Sequence, residues 1–251
     1  MTNSTNLGLP SASAWFSFPK PNPAAKVRLF CFPYAGSGAN IFYKWHASLP
    51  DEVELCLVNL PGRDLRLKEK PFDRMSKLMQ AIEYPLLPFL DKPVALFGHS
   101  MGALICYELS RHLRRRYGAQ PAHLFISGCG SQRSLSAENL PALKTFEGAA
   151  ETALNKATFL QLMLPTLKAD LALCETYSHT TETPLDCAIS VYGGLEDCMV
   201  KPEALEAWRE ETTGPFALHL FDDGHFFIQS NEALVLKALS EELRHMACDV
   251  R

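Results

Sequence analysis

Residues 93–109, PVALFGHSMGALICYEL, run from an apolar segment through a Gly-x-Ser-x-Gly pattern into a segment with helical spacing. A serine at a sharp turn between a strand and a helix is held in a strained conformation, and flanking glycines let neighbouring backbone pass close to it. Its hydroxyl projects at the helix N-terminus, where free N–H groups and the helix dipole favour the oxyanion of acyl transfer. The pattern therefore predicts Ser100 as a nucleophile.

A serine hydroxyl is a weak nucleophile near neutral pH, so it needs a base within hydrogen-bond reach and a third group that orients the base. His225 lies in FDDGHFF, directly after a predicted strand, and His179 is the alternative base. Asp197 lies in YGGLED after another predicted strand, and Glu196 is the alternative acid. The chain order Ser100, Asp197, His225 is that of the α/β-hydrolases.

The oxyanion of such a reaction is held by two backbone N–H groups, one from the residue after the nucleophile and one from a loop after an earlier strand. The first donor is Met101. The loop FPYAGSG at 32–38 supplies the second, which we assign to Ala35, with Tyr34 and Gly36 as alternatives in register. Neither the GxGxxG pattern nor the GxxxxGK[ST] pattern is present, so the glycines do not predict a nucleotide site, and we expect no cofactor.

Short apolar and β-branched segments alternate with helix-length segments along most of the chain. This alternation is typical of a mostly parallel sheet with helices on both faces, and it predicts an α/β fold. The predicted strands are 27–32, 53–58, 94–97, 123–127, 187–192 and 217–221, and the predicted helices are 41–49, 75–90, 104–117, 202–211 and 232–246.

Two segments depart from this alternation. Residues 1–26 are rich in Ser, Asn and Pro, so we expect an extended arm on the surface, followed by a single domain over 27–251. Residues 131–183 carry many apolar residues but no convincing strand, and they exceed the dozen or so residues that a crossover requires. We interpret them as a helical lid, and ordinary crossover helices are the alternative.

The composition excludes several classes of protein. The 251 residues include 47% hydrophobic and 21% charged positions, which is typical of a globular protein. The 24 basic and 28 acidic residues give a net charge of −4, so we expect no nucleic acid partner. No signal peptide and no 18-residue apolar stretch is evident, so we expect a cytoplasmic protein that does not bind membranes. The eight cysteines form no CxxC pair, and we expect free thiols and no metal site.

Six stretches together resemble one family, the type II thioesterases that serve polyketide synthases and nonribosomal peptide synthetases. They span about 29–228 and read LFCFPYAGSGANIFYKW, NLPGRDLR, LFGHSMGALICYEL, LPTLKADLALCETY, YGGLEDCMV and DDGHFFI. The resemblance implies an α/β-hydrolase fold, the triad Ser100, Asp197 and His225, and oxyanion donors at Ala35 and Met101. It also implies hydrolysis of acyl groups from the phosphopantetheine arm of carrier proteins, an editing role that clears misprimed or stalled chains. We expect a monomer that meets these carriers as partners.

Two stretches depart from the family pattern: SGCGSQ replaces a segment that usually contains arginine, and LKAD replaces LRAD. Both border the predicted lid, so they bear on substrate preference. A carboxylesterase or lipase, an acyltransferase and a non-enzymatic scaffold are the alternative functions. We regard the arginines at 114–116 as a solvated helix end. The candidate carrier contacts are Arg63, Arg66, Lys156 and Lys168.

Overall fold

The protein is described by a computed structural model that covers residues 12–131 and 157–249. Within these residues seven strands form one sheet in the order β1-β3-β2-β4-β5-β6-β7, in which β1 is antiparallel to β3 and the other neighbours are parallel. The strands are β1 Phe16–Ser17, β2 Val27–Phe32, β3 Val53–Val58, β4 Val94–His99, β5 His123–Ser127, β6 Ala188–Gly194 and β7 Phe216–Phe221. The predicted mostly parallel sheet is confirmed.

Helices cover both faces of the sheet, as the continuous apolar strands require. The α-helices are α1 Ala12–Trp15, α2 Met75–Leu86, α3 Met101–Tyr117, α4 Ala157–Glu175, α5 Pro202–Glu206, α6 Phe227–Ser230 and α7 Glu232–Asp249. The 3-10 helices are Ala39–Ala47, Asp64–Arg66, Leu87–Phe89 and Ala207–Glu211. The helix predicted over 41–49 therefore has the tighter 3-10 form.

Alternate residues of β4 point into two separate cores. Leu96 packs with α2 and α3 residues on one face, whereas Phe97 contacts Phe42 and Trp45 on the other. All six residues of β4 are buried, so this strand lies in the interior with its carboxyl end at one edge of the sheet. That position determines where the following residue, Ser100, emerges.

Of the surface arm predicted over 1–26, residues 1–11 lie outside the described residues, 17–24 are intermediate or exposed, and Trp15 and Phe16 differ from the prediction. Trp15 and Phe16 are only 1% and 3% exposed, and β1 extends the sheet by pairing with β3. The Asn59 N–H donates to the Trp15 carbonyl at 2.8 Å, and the Arg66 guanidinium lies 4.1 Å from the Trp15 ring centre. The prediction is wrong at these two residues because two aromatic residues in a polar segment show no periodicity, and their burial depends on partners elsewhere in the chain, such as Phe72 and Phe89.

Helix α4 occupies the C-terminal part of the predicted lid. Its residues confirm the prediction of helix between β5 and β6, while 132–156, including the candidate carrier contact Lys156, lie outside the described residues. Leu173 of α4 is 2% exposed and belongs to the core beside α2 and α3. Helix α4 is thus anchored to the body of the fold.

The arginines at the end of α3 are solvated as predicted at Arg115 and Arg116, which are exposed, but Arg114 is partly buried and Arg114 and Arg115 also contact the segment after α4. Arg114 donates to the Thr183 and Pro184 carbonyls, and Arg115 forms ion pairs with Glu108 and Glu182. These contacts attach the segment after α4 to α3. The helix itself ends at Gly118, whose φ of +62° is the left-handed conformation common after the last helical turn. No helix in the described residues is long and apolar enough to span a membrane.

Candidate active site

The predicted site residues lie in loops that follow the carboxyl ends of β2, β4, β6 and β7. Because parallel strands end at one edge of the sheet, these loops meet there, which is the usual ligand position in open α/β sheets. Ser100 emerges at this edge from the middle of the sheet, between the loop after β2 and the loops after β6 and β7.

Ser100 has a strained backbone. Its φ of +54° and ψ of −114° lie in a backbone region that residues other than glycine rarely adopt. It is the residue immediately before α3. Its N–H donates to the Ser127 carbonyl at 2.7 Å, and its carbonyl accepts from the N–H groups of Ala103 and Leu104. These bonds hold the sharp turn that the sequence predicted, with the serine at the start of the helix.

Two glycines make the turn sterically feasible. A Cβ on Gly98 would lie 2.2 Å from the backbone of Gly102, and a Cβ on Gly102 would lie 2.2 Å from the Phe32 carbonyl oxygen. Real Cβ atoms do not approach other atoms this closely, so only glycine fits at either position. The close approach of α3 to Phe32 brings the turn at Ser100 next to the loop after β2.

The structure brings Asp197 and His225 together. One carboxylate oxygen, Oδ2, lies 2.7 Å from His225 Nδ1, and the other accepts the N–H groups of Met199 and Val200 at 2.8 and 3.2 Å. Both side chains are at most 5% exposed. Glu196, the alternative acid, is exposed. The carboxylate of Asp197 is thus fixed by backbone on one side and faces the imidazole on the other.

The loops that carry these two residues are bonded to each other. The N–H of Leu195 donates to the Phe221 carbonyl at 2.8 Å, and that of Glu196 donates to the Asp223 carbonyl at 2.9 Å. A Cβ on Gly194 would lie 2.3 Å from the same Asp223 oxygen, so the close contact requires glycine. The Asp223 side chain accepts from the Gly224 N–H and stabilises the turn, as a short acidic side chain in a turn commonly does.

His99 lies beneath His225, with 5.0 Å between the ring centres. It is fully buried, and its Nδ1 lies 2.9 Å from Ser127 Oγ. Burial lowers the pKa of His99 well below its usual range, and the neighbouring charge of His225 lowers it further. His99 is therefore a neutral packing residue near neutral pH. Since His99 directly precedes Ser100, its contact with His225 places the imidazole at the turn.

The predicted oxyanion donors are available. Within residues 12–131 and 157–249, the N–H groups of Ala35 and Met101 donate to no protein acceptor. The N–H of Gly36, by contrast, donates to Asp170 Oδ2 at 2.8 Å. This bond disfavours Gly36 as the second donor, so Ala35 stays our assignment, with Tyr34 as the alternative in register.

His179, the alternative base, lies elsewhere. Its ring stacks on Tyr107, two turns into α3, with 6.3 Å between the ring centres. The described residues contain no group of three or more His, Cys, Asp or Glu side chains that could hold a metal ion.

Residues 27–243 match the Thioesterase domain family. The chain belongs to this family. A related protein is the gramicidin S biosynthesis protein GrsT of Aneurinibacillus migulanus, which is 36% identical over 240 residues, covering 92% of this chain and 94% of GrsT.

Two solved structures resemble this thioesterase over nearly its whole length. RedJ, a thioesterase from the prodiginine biosynthetic pathway of Streptomyces coelicolor, superposes with a TM-score of 0.80 and is 36% identical, covering 93% of this chain and 100% of RedJ. The type II thioesterase BorB from the borrelidin biosynthetic cluster also superposes with a TM-score of 0.80 and is 32% identical, covering 92% of this chain and 97% of BorB. The predicted α/β-hydrolase fold is confirmed.

Sequence reasoning missed one pair of residues in this thioesterase. Arg63 and Asp170 form a buried ion pair that contacts the loop after β2. Arg63 is 2% exposed and Arg66 is 4% exposed, so the prediction that they contact a carrier is wrong, whereas Lys168 is exposed. A signal for the pair was present, since both members lie in family-like stretches, NLPGRDLR and LPTLKADLALCETY, but the spacing of residues does not show that the stretches meet.

Proposed function

We propose that this thioesterase hydrolyses acyl thioesters on the phosphopantetheine arm of carrier proteins in polyketide or nonribosomal peptide synthesis, and so edits misprimed or stalled chains. The assignment of acyl hydrolysis by a serine nucleophile rests on the Asp197–His225 contact and the strained turn at Ser100. The substrate class is supported by the nearly full-length similarity to GrsT and BorB, whose names refer to gramicidin S biosynthesis and to a type II thioesterase.

The proposed reaction begins when Ser100 Oγ attacks the thioester carbonyl and His225 Nε2 accepts its proton. Asp197 accepts the Nδ1–H of the imidazole, which fixes the tautomer and stabilises the imidazolium. The N–H groups of Ala35 and Met101 hold the oxyanion of the tetrahedral intermediate. Collapse of the intermediate breaks the carbon–sulfur bond, and His225 returns the proton to the leaving thiolate.

Deacylation repeats these steps with water. His225 removes a proton from a water molecule as its oxygen attacks the acyl-serine carbonyl, and the proton then passes to Ser100 Oγ as the ester breaks. The products are a free acid and a carrier with a free thiol. The mechanism uses side chains, backbone N–H groups and water, without a cofactor. We place the reaction in the cytoplasm and treat the enzyme as a monomer that meets the carrier domain transiently.

The decisive experiment is intact-mass analysis of carrier proteins loaded with short and long acyl groups, after incubation with the enzyme. We expect loss of the acyl mass with the native protein and none with Ser100→Ala, which removes the nucleophile. A folded Ser100→Ala variant with undiminished turnover would exclude Ser100 as nucleophile.

A second measurement separates carrier thioesters from general esters. Binding energy from the carrier, remote from the reacting carbonyl, can orient the thioester. We therefore expect kcat/KM for an acyl group on a carrier to exceed that for the same group on a small thiol by at least about tenfold, roughly 1.4 kcal/mol. Equal values, or faster hydrolysis of a matched p-nitrophenyl ester than of any carrier thioester, would indicate a general esterase.

A further inference from the structure

A buried ion pair joins α4 to the loop after β3, and both of its members contact the loop after β2. Arg63 Nη1 and Nη2 donate to Asp170 Oδ2 and Oδ1 at 2.7 and 2.6 Å, and the two side chains are 2% and 3% exposed. The remaining guanidinium hydrogens are also used, because Arg63 donates to the carbonyls of Pro61 and Ser37. A bidentate pair with every donor satisfied has one geometry, so Asp170 is held rigidly.

Asp170 also forms a hydrogen bond with the loop that carries Ala35. Its Oδ2 accepts the Gly36 N–H at 2.8 Å, while the Ser37 N–H closes a turn onto the Tyr34 carbonyl at 3.1 Å. Gly36 has a φ of +77°, which is typical of the third residue of a type II turn. The central peptide of such a turn, Ala35–Gly36, can flip, and a fixed acceptor for its N–H selects one orientation.

The pair also shapes the electrostatics beside the oxyanion donors. Arg63, Asp170 and Met101 all contribute to the lining of one small cavity, and Asp170 Oδ2 lies 2.8 Å from the nitrogen of Gly36, the residue after Ala35. An isolated carboxylate there would repel a developing oxyanion. Arg63 offsets its charge, so Asp170 can hold the Gly36 N–H without that repulsion.

We propose that Asp170 and Arg63 are positioning residues for the oxyanion site: Asp170 holds the 34–37 turn through the Gly36 N–H, next to the Tyr34–Ala35 peptide that carries the Ala35 N–H, and Arg63 fixes Asp170 and offsets its charge. The inference rests on the proposed role of the Ala35 N–H. It adds that α4, a helix of the predicted lid, contributes to the geometry of the oxyanion site, because Asp170 belongs to α4.

The test compares two double variants that both lack the ion pair. Asp170→Asn with Arg63→Gln retains an oxygen that can accept the Gly36 N–H, whereas Asp170→Ala with Arg63→Gln has none. Neither leaves an unpaired buried charge, which is the usual reason why single variants of a buried pair unfold. We expect kcat of the Asn variant to exceed that of the Ala variant by about tenfold, with KM within about twofold, because a positioned donor acts mainly in the transition state.

An alkyl boronic acid supplies a second readout. It forms a tetrahedral adduct with a nucleophilic serine, and one oxygen of the adduct occupies the oxyanion site. Its affinity should fall about tenfold from the Asn to the Ala double variant, in parallel with kcat. Equal kcat and equal boronate affinity in the two folded double variants would overturn the proposal.

Thr166→Val is the matched control. Thr166 lies one turn before Asp170 on α4, is 2% exposed and donates to the Gly62 carbonyl at 2.6 Å, so it also attaches α4 to the loop that carries Arg63. Within the described residues Thr166 forms no hydrogen bond with the 34–37 turn. We expect this variant to lose stability but to keep boronate affinity within about twofold. A tenfold loss of affinity in Thr166→Val would mean that any loosening of α4 suffices, which contradicts a specific role for Asp170.

The boronate readout also separates this inference from the proposed function. It requires a reactive Ser100 but no carrier thioester, so it can succeed if the substrate class is wrong. If the native enzyme hydrolyses no carrier thioester while the two double variants still differ in boronate affinity, the proposed function fails and the positioning role stands. If carrier thioesters are hydrolysed and the double variants do not differ, only the positioning role fails.

Discussion

The two oxygens of the Asp197 carboxylate have separate partners. Oδ1 accepts the N–H groups of Met199 and Val200, and Oδ2 faces His225 Nδ1. Asp223, which lies two residues before His225, uses both of its carboxylate oxygens within its own turn. Gly224, Ser230 and Asn231 donate hydrogen bonds to it. Proximity along the chain to His225 therefore does not decide which acid orients it.

This difference predicts the outcome of two matched substitutions. Asp197→Asn should lower kcat by roughly three to four orders of magnitude, because an amide supports the wrong imidazole tautomer. Asp223→Asn keeps an acceptor in the turn, so kcat should fall by less than about tenfold. Steady-state kinetics on one acyl-carrier substrate, with thermal unfolding as a check on folding, measures both. An inactive Asp223→Asn beside a normal Asp197→Asn would reverse the assignment.

The burial of His99 predicts how the free energy of unfolding depends on pH. Its pKa in the folded protein is lowered by burial, so the unfolded chain binds a proton near pH 6.5 that the folded protein does not. The free energy of unfolding should therefore fall as pH drops below about 6.5, with a contribution from His99 of up to about 1.4 kcal/mol per pH unit.

The variant His99→Asn isolates this contribution. The amide can replace the contact between Nδ1 and Ser127 Oγ without a titratable group. Urea unfolding at several pH values from 5 to 7 should give a shallower slope for the variant than for the native protein. Parallel slopes would show that His99 titrates alike in the folded and unfolded states.

At the scale of secondary structure, the start of α3 depends on its approach to β2. A Cβ on Gly102 would overlap the Phe32 carbonyl oxygen, so the helix can lie at this distance only with glycine there. At the other end of the helix there is space for a side chain, because a Cβ on Gly118 would meet no atom within 4 Å, and only the positive φ disfavours substitution. A substitution at Gly102 is thus opposed by a close contact, whereas one at Gly118, directly after the helix, is opposed only by the backbone conformation.

Gly102→Ala should lower both stability and activity. The added methyl forces α3 away from β2 at a cost of about 1–3 kcal/mol, and it separates the loop that carries Ala35 from Met101. Gly118→Ala is the control, since its φ of +62° costs about 1–2 kcal/mol without moving the site. Denaturant unfolding and kcat measured together should show a loss of kcat in Gly102→Ala alone. Equal kcat in the two variants would mean that the close approach does not position the site.

At the scale of the whole molecule, the N-terminal segment completes the sheet. Trp15 fills a space beside Phe72 and the Arg66 guanidinium, and β1 covers the outer side of β3. An edge strand that is paired is also protected from pairing with other molecules. Trp15 and Phe16 therefore belong to the core, in contrast to the surface arm that the composition predicts.

Trp15→Ala should lower the free energy of unfolding by about 3–5 kcal/mol, as truncation of a large buried aromatic residue usually does. Lys20→Ala, in the same segment, should change it by less than about 0.5 kcal/mol, because the Lys20 side chain is 68% exposed. Chemical denaturation measures both. A loss below about 1 kcal/mol for Trp15→Ala would show that the segment lies on the surface after all.

Features that depend on local patterns could be predicted from the amino-acid sequence. Alternation of apolar strands and helices predicted β2 to β7 with ends within two residues of those observed, since burial on both faces of a parallel sheet demands continuous apolar strands. The pattern around Ser100 predicted the turn because glycine is required on both sides. Asp197 and His225 were selected as candidates because each follows a strand that ends at the same edge of the sheet.

Only the tertiary structure decided which side chains meet. Asp197 contacts His225 and Glu196 faces solvent, although they are neighbours in sequence, because the loops after β6 and β7 bond to each other in one register. Arg63 and Asp170 are 107 residues apart, and the pair forms only because α4 packs against the loop after β3. Sequence patterns report which face of an element is apolar, whereas contacts between polar side chains depend on how elements are packed.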